Sequence, residues 1–489
     1  MSSHKKLVLA VIDSLHPDML ERAIEEGGAP TLAGLRKRGT YIRDCVPTFP
    51  SVTPVASATI ATGVPPHEHH VPSINWYHRG EQRYVEYGSS FPATRAFGVM
   101  RSLYDTVYNL NLGHLSRATE TVFERLDDAG LRTACTTYLI YRGRTRHEPS
   151  SDSRLGRLAT AAQFRHPVWG SRELFYADLF DSRNTGCTST LGLPGQRDQH
   201  TGCVGAYLVE HDLFDFLLFS LPDNDTHSHR YGPEAQVRSI AGADRALERI
   251  VHVAGGIDAF LEDHAVIVLS DHSQTPIERR LNLSLGLAGW RVLAPADLTP
   301  EQAELAVCPG ARSAMVYVLD ESQRQRLVPR VAGDLEAVEG LDLIARLEGD
   351  EVRVWSARGE LSFAPDGELR DGRGRSWSLE GEVAALGLMT DDSRVSSQEY
   401  PDALWRLWSA LRCPYAGDVL ISAAPGYEFV DWGGADHVGG GSHGSLHRGD
   451  SVGVLIACGV EMPGREEWSL ADVVPVVLNH FSLRSGSDA

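Results

Sequence analysis

The chain has 489 residues, of which 42% are hydrophobic and 23% are charged, and this composition is typical of a soluble globular enzyme. The length predicts two or three domains, or one large α/β core with an insertion. The 46 Lys and Arg residues against 65 Asp and Glu give a net charge of -19, which argues against binding to nucleic-acid polymers or to an anionic membrane. The predicted partner is a small molecule, and a phosphorylated one would need local cations to overcome this field.

The seven cysteines are scattered and have no CxxC spacing. They predict neither a disulfide framework nor a cysteine zinc site, and we expect most of them to be small buried side chains. The apolar run at 7–12 is too short for a signal sequence or a membrane span. We therefore expect a cytoplasmic protein without a membrane contact.

Strand-like and helical patterns alternate along the chain. The continuous apolar run at 7–12 predicts a strand that is buried on both faces of a parallel sheet. The predicted helices cover residues 16–37, 53–62, 121–129 and 233–261. Further strands are predicted at 132–140, 214–220, 265–270 and 452–458. This alternation predicts an α/β sandwich with a mainly parallel central sheet.

The pattern changes between about 290 and 430. Short strands are predicted at 316–319 and within 351–362, with a helix at 323–335 and turns around the glycines that follow. Core-like sequence returns at 417–421. We therefore predict a catalytic core over 1–290, an inserted α+β cap over 291–430, and a final part of the core over 431–489.

The segment at 50–63 has the pattern of a helix start and stop. A hydroxyl residue, Thr53, precedes a proline in the first helical turn, and Gly63 ends the helix. Thr53 would lie where free backbone N–H groups and the positive end of the helix dipole meet, which suits a group that receives a phosphoryl. An ordinary threonine N-cap explains the same pattern.

Aspartate and histidine residues follow three predicted strands, and one more histidine lies in a glycine-rich segment before the strand at 452. They are Asp13, Asp223, Asp225, His227, His229, Asp271, His272 and His443. Because the carboxyl ends of parallel strands share one edge of a sheet, we expect these side chains to meet there. Mixed carboxylate and imidazole ligands suit Zn²⁺, with Mn²⁺ or Fe as alternatives, and two such ions suit an in-line phosphoryl displacement.

Five segments stand in a characteristic order along the chain. They are Asp13, the helix start at Thr53, Asp225-x-x-x-His229-x-x-Gly232-Pro233, Asp271-His272, and Ser442-His443-Gly444. In order and spacing they resemble the alkaline phosphatase superfamily, and most closely its type I phosphodiesterase/nucleotide pyrophosphatase-like branch. The resemblance implies an alkaline-phosphatase-like three-layer sandwich with a mainly parallel sheet and a cap.

The resemblance also implies two divalent metal ions, most simply Zn²⁺, and a threonine nucleophile. The ligands that it implies are Asp13, Asp271, His272 and Thr53 for one ion, and Asp225, His229 and His443 for the other. Thr53 would attack phosphorus as an alkoxide, and hydrolysis of the phospho-threonine intermediate would complete the reaction.

Two of these assignments have alternatives. Thr48 and Ser51 are further candidate nucleophiles, although the distance to the end of the helix favours Thr53. Asp223 and His227 have the same i to i+4 spacing as the pair that begins two residues later. The Gly-Pro that follows favours the later pair.

The phosphodiesterase branch carries an Asn shortly after the nucleophile to hold a phosphate oxygen, and here the nearby helix position is Ala56. Asn75 is the candidate replacement. Arg142, Arg144 and Arg146 are candidates for a substrate-anion clamp, although solvated loop charge is the favoured explanation for them.

The first choice of function is a phosphodiesterase or nucleotide pyrophosphatase that acts on a small phosphorylated substrate. A phosphomonoesterase or a phosphonate hydrolase is the alternative in the same superfamily. A catalytically weak metal-binding regulatory protein and a phosphomutase are alternatives of another class. The oligomeric state is not predicted.

Overall fold

The computed structural model describes residues 4–150, 164–190, 192–296 and 299–483. In chain order, the strands are β1 (Lys6–Ile12), β2 (Thr40–Val46), β3 (Asn75–His78), β4 (Arg83–Glu86), β5 (Thr133–Thr136), β6 (Thr145–His147), β7 (Val168–Gly170), β8 (Glu173–Tyr176), β9 (Phe180–Asp181), β10 (Phe216–Leu221), β11 (His264–Leu269), β12 (Thr275–Pro276), β13 (Arg279–Leu281), β14 (Leu305–Gly310), β15 (Ser313–Val318), β16 (Leu341–Glu348), β17 (Glu351–Ser356), β18 (Gly359–Arg370), β19 (Ser376–Gly381), β20 (Leu388–Asp391), β21 (Arg394–Ser397), β22 (Val419–Ala423), β23 (Tyr427–Phe429), β24 (Gly441–Ser442), β25 (Gly453–Cys458) and β26 (Trp468–Ser469).

The α-helices, in the same order, are α1 (Pro17–Glu25), α2 (Pro30–Arg38), α3 (Thr53–Thr62), α4 (Pro66–His69), α5 (Phe91–Phe97), α6 (Val99–Tyr104), α7 (Val122–Asp128), α8 (Arg197–Glu210), α9 (Asp223–Tyr231), α10 (Gln236–Val253), α11 (Ile257–Asp263), α12 (Arg324–Leu335), α13 (Ala403–Leu411), α14 (Arg448–Ser451) and α15 (Val473–His480). A π-helical segment covers Asp105–His114. Short 3-10 turns cover Pro233–Ala235, Pro300–Gln302, Glu321–Gln323, Val383–Leu386 and Leu470–Asp472. Within the described residues, no helix is both long enough and apolar enough to cross a membrane.

A nine-stranded sheet forms the centre of the protein, in the order β26-β2-β25-β11-β1-β10-β5-β8-β9. The five neighbouring strands from β11 to β8 run parallel to one another. β25 pairs antiparallel with β11 and β2 on one side, and β9 pairs antiparallel with β8 on the other. The prediction of an α/β fold with a mainly parallel central sheet is confirmed.

Helices cover both faces of this sheet, because the strands at its centre are apolar on both sides. In β1, Leu7, Leu9 and Val11 belong to one hydrophobic cluster, together with residues of α3, α7 and α15. The residues between them, such as Val8 and Ala10, belong to a second cluster with α1, α8, α10 and α11. The sheet is therefore the middle layer of a three-layer sandwich. The helices cover its two faces and leave the ends of its strands accessible for a site.

A second sheet has the order β14-β15-β22-β16-β17-β18-β21-β20, with β19 paired to β18. Its strands lie between residues 305 and 423, and α12 packs against β14, β15, β16 and β22 through a third hydrophobic cluster. The segment at 417–421, which resembles core sequence, overlaps β22 of this second sheet. The division at residues 290 and 430 stays a prediction.

Two predicted helices are each divided into two. The helix predicted at 16–37 is α1 and α2, because Gly27 has a φ of +75° and Pro30 begins a new helix. The helix predicted at 233–261 is α10 and α11, which are separated at Gly255 and Gly256, both with positive φ. The strand predicted at 132–140 is limited to β5, since Thr137 also has a positive φ.

One pair of cysteines differs from the sequence-based expectation. Cys187 and Cys203 form a disulfide, whereas the other five cysteines are free and buried. Cys203 lies in α8 and Cys187 in the loop before it, with their Cα atoms 6.0 Å apart. The pairing depends on how this loop folds back on the helix, and the spacing of the cysteines along the chain carries no signal for it.

A buried ion pair joins the second sheet to the segment that carries His443. The Arg312 guanidinium contacts the Asp450 carboxylate, and both side chains are fully buried. The other Asp450 oxygen accepts a hydrogen bond from the backbone N–H of Ser445 at 2.9 Å. The backbone N–H of Arg312 donates to the His443 carbonyl at 2.8 Å. This pair therefore fixes the loop around His443 relative to β14 and β15.

We expect Asp450→Asn to lower the free energy of unfolding by about 3–5 kcal/mol, because it leaves the buried Arg312 charge without a counter-charge. The measurement is equilibrium denaturation in urea. Asp350→Asn is the matched control, since Asp350 pairs with Arg412 while its side chain is 92% exposed, and this change should leave the midpoint unaltered. Equal midpoints for the two variants would contradict the role of the buried pair.

Candidate active site

One cavity opens at the carboxyl edge of the central sheet, with a volume of about 610 Å³. The side chains that reach it come from the ends of β1 and β11, from the start of α3, from α9, and from the loop before α14. The lining residues include Asp13, Thr53, Asp225, His229, Asp271 and His443. His272 is fully buried directly behind them.

Two aspartates and a histidine gather around Thr53. His272 Nε2 lies 3.4 Å from Asp271 Oδ2 and 3.7 Å from Asp13 Oδ1. The same nitrogen lies 3.2 Å from Thr53 Oγ1. Asp13, Asp271 and His272 each offer one ligand atom within 4.8 Å of the others, so they form a group that could hold a metal ion.

A second group is centred on Asp225. Its Oδ1 lies 3.4 Å from His229 Nε2 and 3.7 Å from His443 Nε2. Asp225, His272 and His443 also offer ligand atoms within 4.8 Å of one another. The imidazoles of His272 and His443 stack with their ring centroids 3.8 Å apart, so the two groups are contiguous.

The three imidazoles are oriented as metal ligands usually are. The Nδ1 atoms of His229 and His443 each lie 2.8 Å from a backbone carbonyl oxygen, that of Gly441 and that of Ser51 respectively. His272 Nδ1 is 3.3 Å from the carbonyl oxygen of Ser273. A carbonyl oxygen can only accept, so Nδ1 carries the proton and the Nε2 lone pair is free to bind a metal.

Burial and mutual repulsion set the charges of this site. Burial raises the pKa of Asp13, and the Asp271 and Asp225 carboxylates raise it further. Burial also raises the pKa of Asp271 to about 6. Asp225 differs, because its imidazole neighbours outweigh the effect of burial and hold its pKa below the ordinary value. Burial lowers the pKa of each of the three imidazoles to about 4, in His229, His272 and His443.

Neutral imidazoles and crowded carboxylates are together a donor set for divalent cations. Neutral Nε2 atoms can coordinate a metal, and cations would remove the repulsion between the three carboxylates. The residues of the site therefore fit divalent metal ions, and their chemistry is compatible with zinc.

Thr53 is the first residue of α3, and Val52 takes the N-cap position that we expected for a hydroxyl residue. The Thr53 hydroxyl is therefore free to face the cavity. Ser51 Oγ donates to the Ser445 carbonyl at 2.9 Å and is fully buried. Thr48 Oγ1 lies 3.2 Å from Thr59 Oγ1, inside the protein. Of the three hydroxyls considered as nucleophiles, only that of Thr53 lines the cavity.

Asp223 and His227, the alternative ligand pair on α9, do not face the active-site cavity. The Asp223 carboxylate accepts hydrogen bonds from Arg197 Nε and from the backbone N–H of Gly195, each at 2.8 Å. The His227 ring lies 4.8 Å from the Tyr231 ring. Neither Asp223 nor His227 lines the cavity or belongs to a group that could hold a metal.

Asn75 lies away from the cavity in the described structure. Its side chain is buried, and Nδ2 donates to the carbonyl of Pro309 in the second sheet. Oδ1 is buried without a hydrogen-bond partner. Asn75 therefore connects the β3–β4 hairpin to the second sheet, and it is not among the residues that line the cavity.

The three arginines proposed as an anion clamp also lie elsewhere. Arg142 and Arg144 each form an ion pair with Glu124. Arg146 pairs with Glu148 at 2.6 Å. None of the three lines the cavity, so their charges are accounted for by local ion pairs.

Two polar residues of the site carry no clear signal in the sequence. Ser14 has a φ of +60°, and its Oγ donates to Asp225 Oδ1 at 2.7 Å and lies 3.1 Å from His272 Nδ1. Gln274 Nε2 donates to the same Asp225 oxygen at 2.5 Å. Each follows a predicted ligand by one or two positions, and this adjacency is the only sequence feature that distinguishes them. Both orient the predicted ligands.

His437 also faces the cavity and was not anticipated. Its ring stacks on that of His229, with the centroids 4.1 Å apart. Its Nδ1 lies 2.7 Å from Oε1 of the buried Glu428. Burial lowers the pKa of His437, but the Glu428 carboxylate outweighs it and leaves the pKa above the ordinary value.

The opposite wall of the cavity is largely apolar. The residues that form it include Phe91, Leu103, Val107, Tyr138, Leu139, Tyr176 and Leu179. Phe91 is 75% exposed, so part of this wall faces solvent. Arg197 is the one Arg or Lys among the residues that line the cavity in the described part of the chain. The site thus combines a polar floor with an apolar side that suits an organic substituent.

The fold and this site define a hydrolase of phosphate esters in the alkaline phosphatase superfamily. The family model named "Type I phosphodiesterase / nucleotide pyrophosphatase" matches residues 7–446. The chain belongs to this family and is an enzyme of its class. No curated protein sequence matches the chain.

Several solved structures share the fold. Phosphonoacetate hydrolase from Sinorhizobium meliloti, in complex with phosphonoformate, is 16% identical with a TM-score of 0.55. Human ectonucleotide pyrophosphatase/phosphodiesterase 5 is 12% identical with a TM-score of 0.57. An inactive variant of the murine protein, in complex with AMP, is also 12% identical with a TM-score of 0.56. Each match covers 98% of this chain and 96% of the other.

We expect Asp13→Asn to stabilise the metal-free protein by about 1 kcal/mol, because it removes one of three buried carboxylates that repel one another. The measurement is thermal unfolding in a chelator, followed by the same experiment with added Zn²⁺. The variant should gain less stability from Zn²⁺ than the wild type does, since it lacks a ligand charge.

Asp244→Asn serves as the control for this experiment. Asp244 is also buried, but its carboxylate accepts hydrogen bonds from the backbone N–H groups of Thr31 and Leu32. Its replacement should destabilise the protein, with or without metal. A lower melting temperature of Asp13→Asn in the chelator would contradict the repulsion that we describe.

Proposed function

We propose that this protein hydrolyses phosphodiester or nucleotide pyrophosphate bonds of small substrates, with two divalent metal ions and with Thr53 as the nucleophile. The observation that supports this most directly is the position of the Thr53 hydroxyl, 3.2 Å from His272 Nε2, at an edge where three aspartates and three histidines meet. Zn²⁺ is the metal that we propose, since the set contains three imidazoles.

The proposed roles of the side chains follow from their contacts. Two bound cations would lower the pKa of the Thr53 hydroxyl and neutralise charge on the phosphoryl oxygens. Thr53 Oγ1 then attacks phosphorus, and the bond from phosphorus to one ester oxygen breaks, so that this oxygen leaves with an alcohol or a phosphate. The phosphoryl group, with its remaining ester substituent, stays on Thr53 as the phospho-threonine intermediate until water hydrolyses it and returns the free hydroxyl. Because α3 begins at Thr53, the positive end of the helix dipole also favours the anionic substrate. The apolar wall would hold the organic part of the substrate.

The test compares hydrolysis of an aryl phosphodiester and an aryl phosphomonoester by the metal-loaded enzyme. We expect a preference for the diester and a loss of kcat of about 1,000-fold or more in Thr53→Ala, because the variant has no group to form the covalent intermediate. Removal of metal by a chelator should abolish turnover, and addition of Zn²⁺ should restore it. Mass spectrometry of an acid-quenched reaction should find a phosphoryl group on Thr53, with its remaining ester substituent when the substrate is the diester.

Thr62→Ala is the matched control in the same helix. Thr62 Oγ1 donates to the Ala58 carbonyl and does not line the cavity. This variant should retain wild-type kcat within about a factor of two. Full activity of Thr53→Ala, or a fully metal-loaded wild type that turns over neither substrate, would rule out the proposed function.

Hydrolysis of a phosphonate or a phosphomonoester is the second candidate, and one observation favours it. Neither Ala56 nor Asn75 presents an amide to the cavity, and no Asn or Gln lines it among the described residues. The phosphate oxygen that such an amide would hold in a diester therefore has no partner of this kind. A strong preference for the monoester in the same assay would favour this candidate.

We keep the cytoplasmic location as a proposal, and the disulfide provides a test of it. Disulfides persist mainly in oxidising compartments, so a cytoplasmic protein should have its cysteines reduced. Thiol titration of denatured protein, quenched directly from its native compartment, should then find all seven cysteines free. Five free thiols would show that Cys187 and Cys203 are paired there, and would contradict the cytoplasmic proposal.

A further inference from the structure

A second cleft lies beside the candidate active site, on the other side of α9. Its volume is about 740 Å³, and α8, α9 and α10 form its walls. Pro194 and Thr226 line both this cleft and the active-site cavity, so the two are contiguous. Asp225 and His229 line the active-site cavity. The residues that directly follow them, Thr226 and Arg230, line this second cleft. We call this second cleft the arginine cleft.

Four exposed arginines line the arginine cleft: Arg230, Arg238, Arg245 and Arg249. Within the described residues, none of them forms an ion pair. Arg249 donates only to the backbone carbonyl of Gln199, and the Arg230 guanidinium lies over the ring of Tyr231. Free arginines on one surface are unexpected in a chain whose net charge is -19.

The carboxylates of the arginine cleft do not cancel this charge. Asp223 is bound to Arg197 through Nε at 2.8 Å, so its charge is already compensated. Asp198 is buried, and burial together with the neighbouring Asp223 carboxylate raises its pKa to about 7. Glu248 is the remaining carboxylate of the cleft, and it is exposed. The four arginines therefore leave a net positive charge.

Three of the arginines form a row along α10. Arg238, Arg245 and Arg249 are separated by seven and four residues, which places them on one side of the helix. The row extends over about 16 Å at the rise of an α-helix. Arg230 is on α9, one position after His229, which lines the active-site cavity. A guanidinium binds phosphate through two parallel hydrogen bonds, so such a row suits a ligand with several phosphate groups.

We propose that the arginine cleft binds the additional phosphates of an oligophosphate substrate, such as a nucleoside triphosphate, whose scissile phosphate lies at Thr53. This proposal rests on the proposed function. Arg197 lies where the active-site cavity meets the arginine cleft. It lines the cavity, and its Nη2 donates at 2.6 Å to Thr226 Oγ1, which belongs to a residue that lines both. None of the proposed catalytic steps requires the other four arginines, so the role that we propose for the cleft is in substrate selection alone.

The test compares two nucleotide substrates with the same scissile phosphate, a nucleoside triphosphate and an aryl ester of the nucleoside monophosphate. The variant is Arg238→Ala/Arg245→Ala. We expect the ratio of kcat/KM for the triphosphate to that for the aryl ester to fall about tenfold, because only the triphosphate has phosphates for the cleft. The control is Arg326→Ala/Arg330→Ala, which removes two exposed arginines from α12 and should leave the ratio unchanged.

A binding experiment separates this proposal from the proposed function. In Thr53→Ala protein, fluorescence anisotropy gives the Kd of a labelled nucleoside triphosphate and of the matching monophosphate. Adding the two arginine substitutions should raise the Kd of the triphosphate about tenfold more than that of the monophosphate. This result would support the cleft even if the wild type hydrolyses neither substrate. An equal effect on both ligands, or the same effect in the control variant, would overturn the proposal.

Discussion

The rest of the site depends on one electrostatic constraint, the placement of three carboxylates, two buried and one partly buried, at the same edge of the sheet. Asp13, Asp225 and Asp271 repel one another, and burial deprives them of water. The protein compensates only in part, through hydrogen bonds from Ser14 and Gln274. Cations that neutralise these carboxylates would therefore affect both the stability of the site and the chemistry that we propose for it.

The scaffold can hold these three carboxylates close together because each of them follows a strand of the central sheet. The aspartates follow β1, β10 and β11, which are neighbours in the parallel sheet, so their positions follow from strand register. The His443 loop is fixed by the buried pair of Arg312 and Asp450. α9 then separates two surfaces of opposite character, the acidic floor of the active site on one side and the arginine cleft on the other.

Much of the fold could be predicted from the sequence, because a strand buried on both faces needs a continuous apolar run and a helix needs an apolar stripe. The boundaries were less predictable. Gly27 and Gly255 divide helices that the apolar pattern alone joins. Ser14 acts through a contact with Asp225, which is 211 positions away, and Gln274 contacts the same residue at a distance of 49 positions, so local patterns cannot reveal either role. Asn75 has a plausible residue type and spacing, yet it packs against Pro309.

The sequence by itself determined the chemistry that is available: which side chains follow the buried strands, where a helix begins at Thr53, and which family the chain resembles. Tertiary structure alone decided how these groups are used. It separated Asp225 from Asp223 by the direction in which each faces on α9, it paired Cys187 with Cys203, and it brought four arginines beside the active site. The physical reason is that residue type and periodicity are local properties, whereas distance, burial and net charge arise only when distant segments pack together.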